Sequence, residues 1–559
     1  MVNEALSSPI SSLDPIRVVN TQQVRVTTQI FDGLMRFPDG DREPAGALVT
    51  NTDLTTDYQT YTFTLDRRAQ FHHGWGPVTA DDVVYSFERI AASPRSRRRP
   101  FLLDELGVEH EVDGAGKYVP GSLAVETLDT HTVQITLQRP FYGALSVLTY
   151  DVFTVIPEGI VGDVPGYAGE LSYEEFASRP IGAGPFQFKE WVSGDHVTVE
   201  RFDRYYGETP RIDGIRWGVV PRADKRYHLV QDGRLDLWRS PQNYDPSLRS
   251  VNRVTSKGQT FGTYGPMANG QVAAFEEMPG LTTYYLGFNC QNVPRSVRRA
   301  VAYGIDQRWI TQQLLGRGRP AAHLTPPGVY PGGSDAYDAH AQLYPYGLDE
   351  VDVEGARTTM EAAGYGPDNR YPLTLTMFGL PFWQSIAEKL RSDLVSAYLD
   401  ISIQPISFGD LLNKGRHGDV EGFSLGWALD WPNPDNVIQL LFPPYSDITG
   451  PNPISYFDWH GTRYSEQVRE DYEQVLAHPE PTDAARAIRE SMYVDIEEAN
   501  WEGVAAIPLY HSLRQRFHKP TVTIDPFGTN GPFVQQYTGV RLEPDAAETG
   551  AQHRPSTKR

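Results

Sequence analysis

Only one cysteine, Cys290, occurs in the 559 residues. Its isolation excludes an internal disulfide framework and any zinc site built on several cysteines. A lone thiol of this kind is expected to be a small, buried, apolar side chain. No run approaches the roughly 18 consecutive apolar residues that a membrane helix needs, so a soluble chain is expected. Basic clusters are equally scarce. Fifty Lys and Arg stand against 71 Asp and Glu, a net charge of −21, and nothing longer than Arg95–Arg99 offsets it. Such a surface repels phosphate backbones, which argues against nucleic acid as a partner. H-E-x-x-H, P-loop and EF-hand patterns are missing, which removes the usual metalloprotease, nucleotide and calcium readings. No repeat of fixed period occurs. The segment Met1-Val-Asn-Glu-Ala-Leu-Ser-Ser-Pro9 lacks the basic, apolar and small-residue regions of a secretion signal. Either a signal has been removed or the protein stays inside the cell.

What is present is an ordinary globular composition, 40% hydrophobic and 22% charged, in a chain too long for one core. Two large lobes at least are expected, with mixed strands and helices. Tyr61-Thr-Phe-Thr-Leu65 alternates as a half-buried strand does. Thr79 and Asp82 have the spacing of a capping box, which predicts a helix with Val83, Val84, Phe87 and Ile90 on its apolar face. His131–Leu137, Phe186–Phe188, His196–Val199 and Tyr284–Phe288 read as further strands. Helices are expected over Pro294–Gly304, Asp306–Gly316 and Glu354–Ala363. Leu373, Leu375 and Met377 mark the inward side of a strand. A helix with Ile386, Leu390 and Leu394 on one face comes next, then a strand over Ile401–Ile406, the unit of a parallel sheet. From Asp545 onward the chain is polar and aperiodic, as a disordered tail would be.

Several segments together resemble the family 5 extracellular solute-binding proteins, the oligopeptide- and dipeptide-binding proteins of ABC importers. Leu13-Asp-Pro15 with Gln29-Ile-Phe-Asp-Gly-Leu34 is similar to the family's opening. Phe71-His-His-Gly74 with Val78-Thr-Ala-Asp-Asp-Val-Val-Tyr-Ser-Phe87 is similar to its most recognisable signature. Gly182-Ala-Gly-Pro-Phe186, Tyr205-Tyr-Gly207, Phe288-Asn289, Val297–Val301, Ile305-Asp306, Pro326-Pro-Gly328, Gly426-Trp427 and Ile507-Pro-Leu509 follow in family order. The resemblance implies an α/β class II periplasmic-binding-protein fold, two lobes joined by hinge strands, with an extra subdomain on the first lobe. It implies lobe I at residues 1–40, 182–270 and 505–540, the subdomain at 41–181, lobe II at 271–504, and a tail at 541–559. It further implies a monomer that binds a small-molecule or peptide ligand by hinge closure and docks on a membrane ABC permease. No cofactor is required, and the setting is extracellular or periplasmic, tethered to a membrane in the full-length form.

The resemblance also assigns a site. In peptide-binding members, an aspartate four residues after the glycine of the Gly-Trp pair holds the ligand's ammonium, and here that residue is Asp430. Its rival role is that of a turn residue within Leu429-Asp-Trp-Pro-Asn-Pro434. The family arginine just upstream of Gly426 is replaced by Ser424, leaving Arg416 as the nearest basic candidate for a ligand carboxylate, or else a solvated loop residue. Trp427, Trp431, Phe382 and Trp383 would line a cleft or fill a core, and the backbone near Gly426 would pair with a ligand's main chain as an added strand does.

Two other classes compete. Gly422-Phe-Ser-Leu-Gly426 satisfies the G-x-S-x-G nucleophile pattern with Ser424 as nucleophile, although the preceding His417–Glu421 is too polar for the strand of a hydrolase elbow. Downstream His460, His478, His511 and His518 offer bases, with no spacing to choose between them. The same fold kept inside the cell would serve as a sensor or biosynthetic protein. A nickel- or haem-binding role, known among family relatives, is a further variant, and one member of the pair His72-His73 is expected to be structural.

Overall fold

A computed structural model describes residues 1–18, 20–38, 43–239, 245–255, 259–450, 453–525 and 537–543. The chain divides into two units, one holding residues 1–254, 260–277 and 515–559, the other 255–259 and 278–514. Two long strands, Ala273–Phe288 and Ala506–His518, begin in one unit and end in the other.

The first unit holds two four-stranded sheets. In one, Val2–Leu6 pairs in parallel with Gly214–Val219, and His196–Arg201 and Phe186–Val192 continue it antiparallel. The other has the order Val49–Leu54, Thr60–Leu65, Thr132–Thr136, Val125–Asp129. Alternation in Thr60–Leu65 buries Tyr61, Phe63 and Leu65, as the sequence pattern requires. Helix Ala80–Ala92 packs on this sheet. Asp82 Oδ2 accepts from both the amide (2.7 Å) and the hydroxyl (2.9 Å) of Thr79 at its N-terminus. Val83, Phe87 and Ile90 are buried and Val84 is half-buried.

The family segments of this unit meet in space. A Cβ on Gly182 would stand 2.2 Å from the Ile30 carbonyl oxygen and one on Gly184 2.7 Å from the Ile30 carbonyl carbon, so only glycine lets Gly182–Gly184 lie against the Gln29–Leu34 segment. His72, fully buried, sets Nε2 2.9 Å from the Gly184 carbonyl, and its amide donates to Gly182 at 2.9 Å. Tyr205 and Tyr206 donate their hydroxyls to Asp32.

Burial pushes the His72 ring down to about 4. The unfolded chain, with His near 6.5, therefore takes the proton first. The stabilising contribution is whole above pH 6.5 and is lost toward pH 4, at about 1.4 kcal/mol per pH unit. Urea unfolding at about pH 7 and pH 5 should show this loss, and His72→Gln should remove one proton's share of the slope. An unchanged slope in His72→Gln would contradict it.

In the second unit the strand order is Ala506–His518, Ala273–Phe288, Gly422–Ala428, Tyr371–Phe378, Leu399–Ile406. Tyr371–Phe378 runs parallel to Leu399–Ile406, linked by helix Pro381–Asp393. Leu373, Leu375, Met377, Ile386, Leu390 and Leu394 are all buried, as their spacing requires. Helices Arg295–Tyr303 and Val353–Ala362 form where expected, the latter closed by Gly364 at φ 87°. Asp306–Gly316 differs. Asp306 caps Trp309 at 2.7 Å, but the turn that follows, Trp309–Leu314, is a wider π-helix.

Two expectations are corrected. Cys290 is only half-buried as a residue, although enclosure of its thiol pushes it up to about 11. Arg541–Leu542 pairs with Val522–Thr523, so residues 541–543 belong to the fold. The rest of the expected tail lies outside the described residues. Among the described residues, no helix is long and apolar enough to cross a membrane.

Candidate functional site

Strand order places the site. The chain leaves Tyr371–Phe378, returns on one side as Leu399–Ile406, then crosses through helix Phe408–Arg416 to the other side as Gly422–Ala428. The two connections run in opposite directions along the sheet, which makes a crevice at the carboxyl ends of these strands, where α/β sheets bind ligands.

The two strands on that crevice separate early. Parallel pairing stops at Leu375↔Gly422 and Thr376↔Phe423. Beyond it the Phe378 amide donates to Ser424 Oγ at 2.9 Å, closing the ladder with a side chain. On its far side, Gly422–Ala428 remains fully paired with Thr282–Phe288. Leu425–Ala428 therefore presents an open main-chain edge among the described residues, with Gly426 and Ala428 exposed. Gly426 is glycine for a local reason. A Cβ there would stand 2.7 Å from the ring of Tyr284, its cross-strand neighbour.

Aromatic rings flank the edge. Tyr284 stacks on Tyr510 at 4.5 Å, and Phe382, half-buried at the start of helix Pro381–Asp393, meets Tyr284 edge-on at 6.5 Å. Arg317 is exposed on the Gly316–Gly318 turn, whose last glycine lies against the Tyr510 ring. Its charge is felt by both tyrosines. Burial raises the Tyr284 and Tyr510 hydroxyls, and Arg317 pulls each partly back.

Asp430, half-buried, begins the loop beyond the strand. Buried Asn436 fixes that loop: its Oδ1 accepts from the Asp430 amide at 2.9 Å and from the Trp427 indole Nε1 at 3.1 Å. One carboxamide oxygen thus orients two of the expected site residues.

The remaining candidates fall elsewhere. Trp383, 2% exposed, belongs to the core cluster with Leu375, Ile386 and Leu390. Trp431 is 1% exposed and is likewise enclosed. Arg416 is exposed at the end of helix Phe408–Arg416, before Gly422. It therefore lies at the amino end of Gly422–Ala428, whereas Asp430 lies past the carboxyl end. Seven residues of strand at about 3.3 Å each separate those ends by roughly 20 Å.

Ser424 does not form a nucleophile elbow. It sits within a continuous strand, fully buried, with its hydroxyl engaged by Phe378. His511 has both ring nitrogens occupied, by Thr283 Oγ1 and the Tyr337 hydroxyl, each at 2.8 Å.

Tyr284, Tyr510, Arg317 and Asn436 were not singled out by sequence. The only local signal was the Gly316-Arg-Gly318 turn, since a glycine-flanked arginine is presented to solvent.

Comparison with known proteins places the chain in a family and a fold. The family model described as bacterial extracellular solute-binding proteins, family 5 Middle, matches residues 43–447. The dipeptide-binding protein of Escherichia coli (strain K12) is 26% identical over 443 residues, 77% of this chain and 75% of the relative. Heme-binding protein A of Haemophilus influenzae is 26% identical over 458 residues, 78% of this chain and 75% of the relative. Among solved structures, the periplasmic murein tripeptide-binding protein MppA in its unliganded open form superposes with a TM-score of 0.75 at 23% identity, covering 97% of each chain. That likeness is to the class II periplasmic-binding-protein fold.

Proposed function

Because the chain belongs to the bacterial extracellular solute-binding proteins of family 5, we propose that it captures a peptide or similar small amine-bearing solute for an ABC importer. One observation carries this reading: the open main-chain edge Leu425–Ala428 ends at a loop bearing a carboxylate, Asp430. An extended peptide laid along that edge makes backbone hydrogen bonds whatever its side chains, and its ammonium meets Asp430. Trp427, Phe382 and Tyr284 supply apolar surface beside it. Arg317 stands in for the arginine that Ser424 replaces and takes the ligand's carboxylate. Dipeptide binding by the E. coli relative supports a peptide, while the name of heme-binding protein A marks how far cargo varies among relatives.

The two units serve as the lobes, residues 41–181 as an added subdomain of the first, and the two long strands that pass between the units as the hinge. A solute held more tightly by the closed form shifts the population toward it. A membrane permease then reads closure. The working place is outside the cytoplasmic membrane.

Calorimetry with free, N-acetylated and C-amidated forms of one tripeptide tests this reading. Acetylation should abolish measurable binding, since it removes the charge that Asp430 holds. Arg317→Ala should weaken the free peptide about fivefold, as expected of an exposed ion pair near 1 kcal/mol, and leave the amidated peptide unchanged. Equal affinity for acetylated and free peptides would overturn the assignment of Asp430.

A further inference from the structure

We propose that Asp447, Asp458 and His460 hold a resident first-row divalent cation such as zinc, structural in role and separate from the solute site. Their ligand atoms lie within 4.8 Å of one another. His460 Nε2 stands 3.3 Å from Asp458 Oδ1. Two ligands on one tetrahedral zinc, at about 2.0–2.2 Å from it, stand roughly 3.3–3.5 Å apart, so this pair already has the edge of a coordination polyhedron.

Asp458 is the decisive residue. It is 7% exposed, and its Oδ1, facing His460, makes no hydrogen bond. Only the His460 imidazole approaches this buried oxygen among the described residues, and without a hydrogen bond its desolvation is poorly offset; a cation shared with that imidazole would offset it. The backbone is held in place for this. Asp458 lies in the left-handed region at φ 46°. Gln291 Nε2 donates to the carbonyls of Asp458 (3.0 Å) and His460 (3.2 Å), and Ser446 Oγ donates to that of Trp459 at 3.2 Å. Trp459 between them is fully buried, and Gly503 makes room for its ring, which fixes its two neighbours at the surface of the core. Asp447 is oriented by the Thr449 amide and hydroxyl, both on Oδ1, at 2.8 and 2.7 Å.

The donor set selects the ion. One imidazole with two carboxylates suits zinc, manganese or cobalt, whereas magnesium and calcium prefer oxygen alone. The ligands lie within 14 positions of one another, so binding would tie Asp447 to the Asp458–His460 stretch that Trp459 anchors in the core.

The test is equilibrium dialysis of the full chain, stripped with EDTA, against zinc chloride, with bound metal read by mass spectrometry. One zinc per chain at micromolar affinity is expected, not displaced by a large excess of magnesium, with a higher thermal midpoint when loaded. Asp458→Asn should abolish the stoichiometric site. Should that buried variant fail to fold, Asp447→Asn and His460→Ala, both nearer solvent, decide the matter: each should weaken zinc at least tenfold with unchanged circular dichroism. No stoichiometric zinc in the unaltered chain, or zinc retained equally by His460→Ala and Asp447→Asn, would overturn the proposal.

Discussion

Asp430→Asn is expected to weaken binding of a free tripeptide by about 2–5 kcal/mol, or roughly thirty- to several-thousand-fold. The size follows from asymmetry. An enclosed ammonium that loses its carboxylate keeps its desolvation penalty and forfeits the attraction that offset it. Asparagine preserves shape, and the Asn436 oxygen that fastens the Asp430 amide and the Trp427 indole is untouched by the change. The loop should therefore stay in position, which unchanged Trp fluorescence of the ligand-free protein would verify. The same variant should bind an N-acetylated peptide as poorly as the unaltered protein does. Calorimetry giving a loss below about threefold would remove Asp430 from the ligand's ammonium.

Arg89→Met carries the largest expected effect on stability. The guanidinium lies 1% exposed between two carboxylates, bidentate to Asp14 at 2.7 and 2.8 Å and to Asp163 at 2.8 and 3.0 Å. Asp14 is fully buried, and Ser93 Oγ donates to Asp163 at 2.8 Å. Removing the cation strands two carboxylates away from water, so about 3–5 kcal/mol of the first unit's stability should be lost in urea unfolding. Adding Asp14→Leu and Asp163→Asn to that variant should restore much of it, because the penalty belongs to the unpaired charges rather than to the missing arginine. A loss under about 1 kcal/mol in Arg89→Met would show that water reaches the carboxylates.

Local signals are legible in the sequence where a short stretch decides its own conformation. Thr79 and Asp82 meet at the helix start, Tyr61, Phe63 and Leu65 turn inward, and Leu373, Leu375 and Met377 line a buried face. Leu13-Asp-Pro15 and Val78–Phe87 stand apart in sequence, but Asp14 grips Arg89, in the helix that the second block begins, 75 positions away. Spacing alone could not show that link.

The candidate site is legible only in part, for the same reason. Gly426 and Trp427 lie along the crevice and Asp430 opens the loop at its end, yet Arg416 was placed by nearness in sequence. Arg416 closes the helix that precedes Gly422, so it stands at the amino end of Gly422–Ala428, away from Asp430 past the carboxyl end. Trp383 and Trp431 show the limit of composition. An aromatic beside a loop suits a pocket or a core equally, and packing of Trp383 against Leu375 and Ile386 chose the core. Tyr284, Tyr510, Arg317 and Asn436 come from separate segments, and only the register Tyr284↔Gly426 and the Tyr284–Tyr510 stack bring two of them to the open edge.

The most direct measurement is a crystal structure with a bound tripeptide. The expected result is an extended ligand paired along Leu425–Ala428, with its ammonium nitrogen about 3 Å from the Asp430 carboxylate. A peptide bound away from that edge, or one whose ammonium points into solvent while Asp430 faces another group, would contradict the assignment.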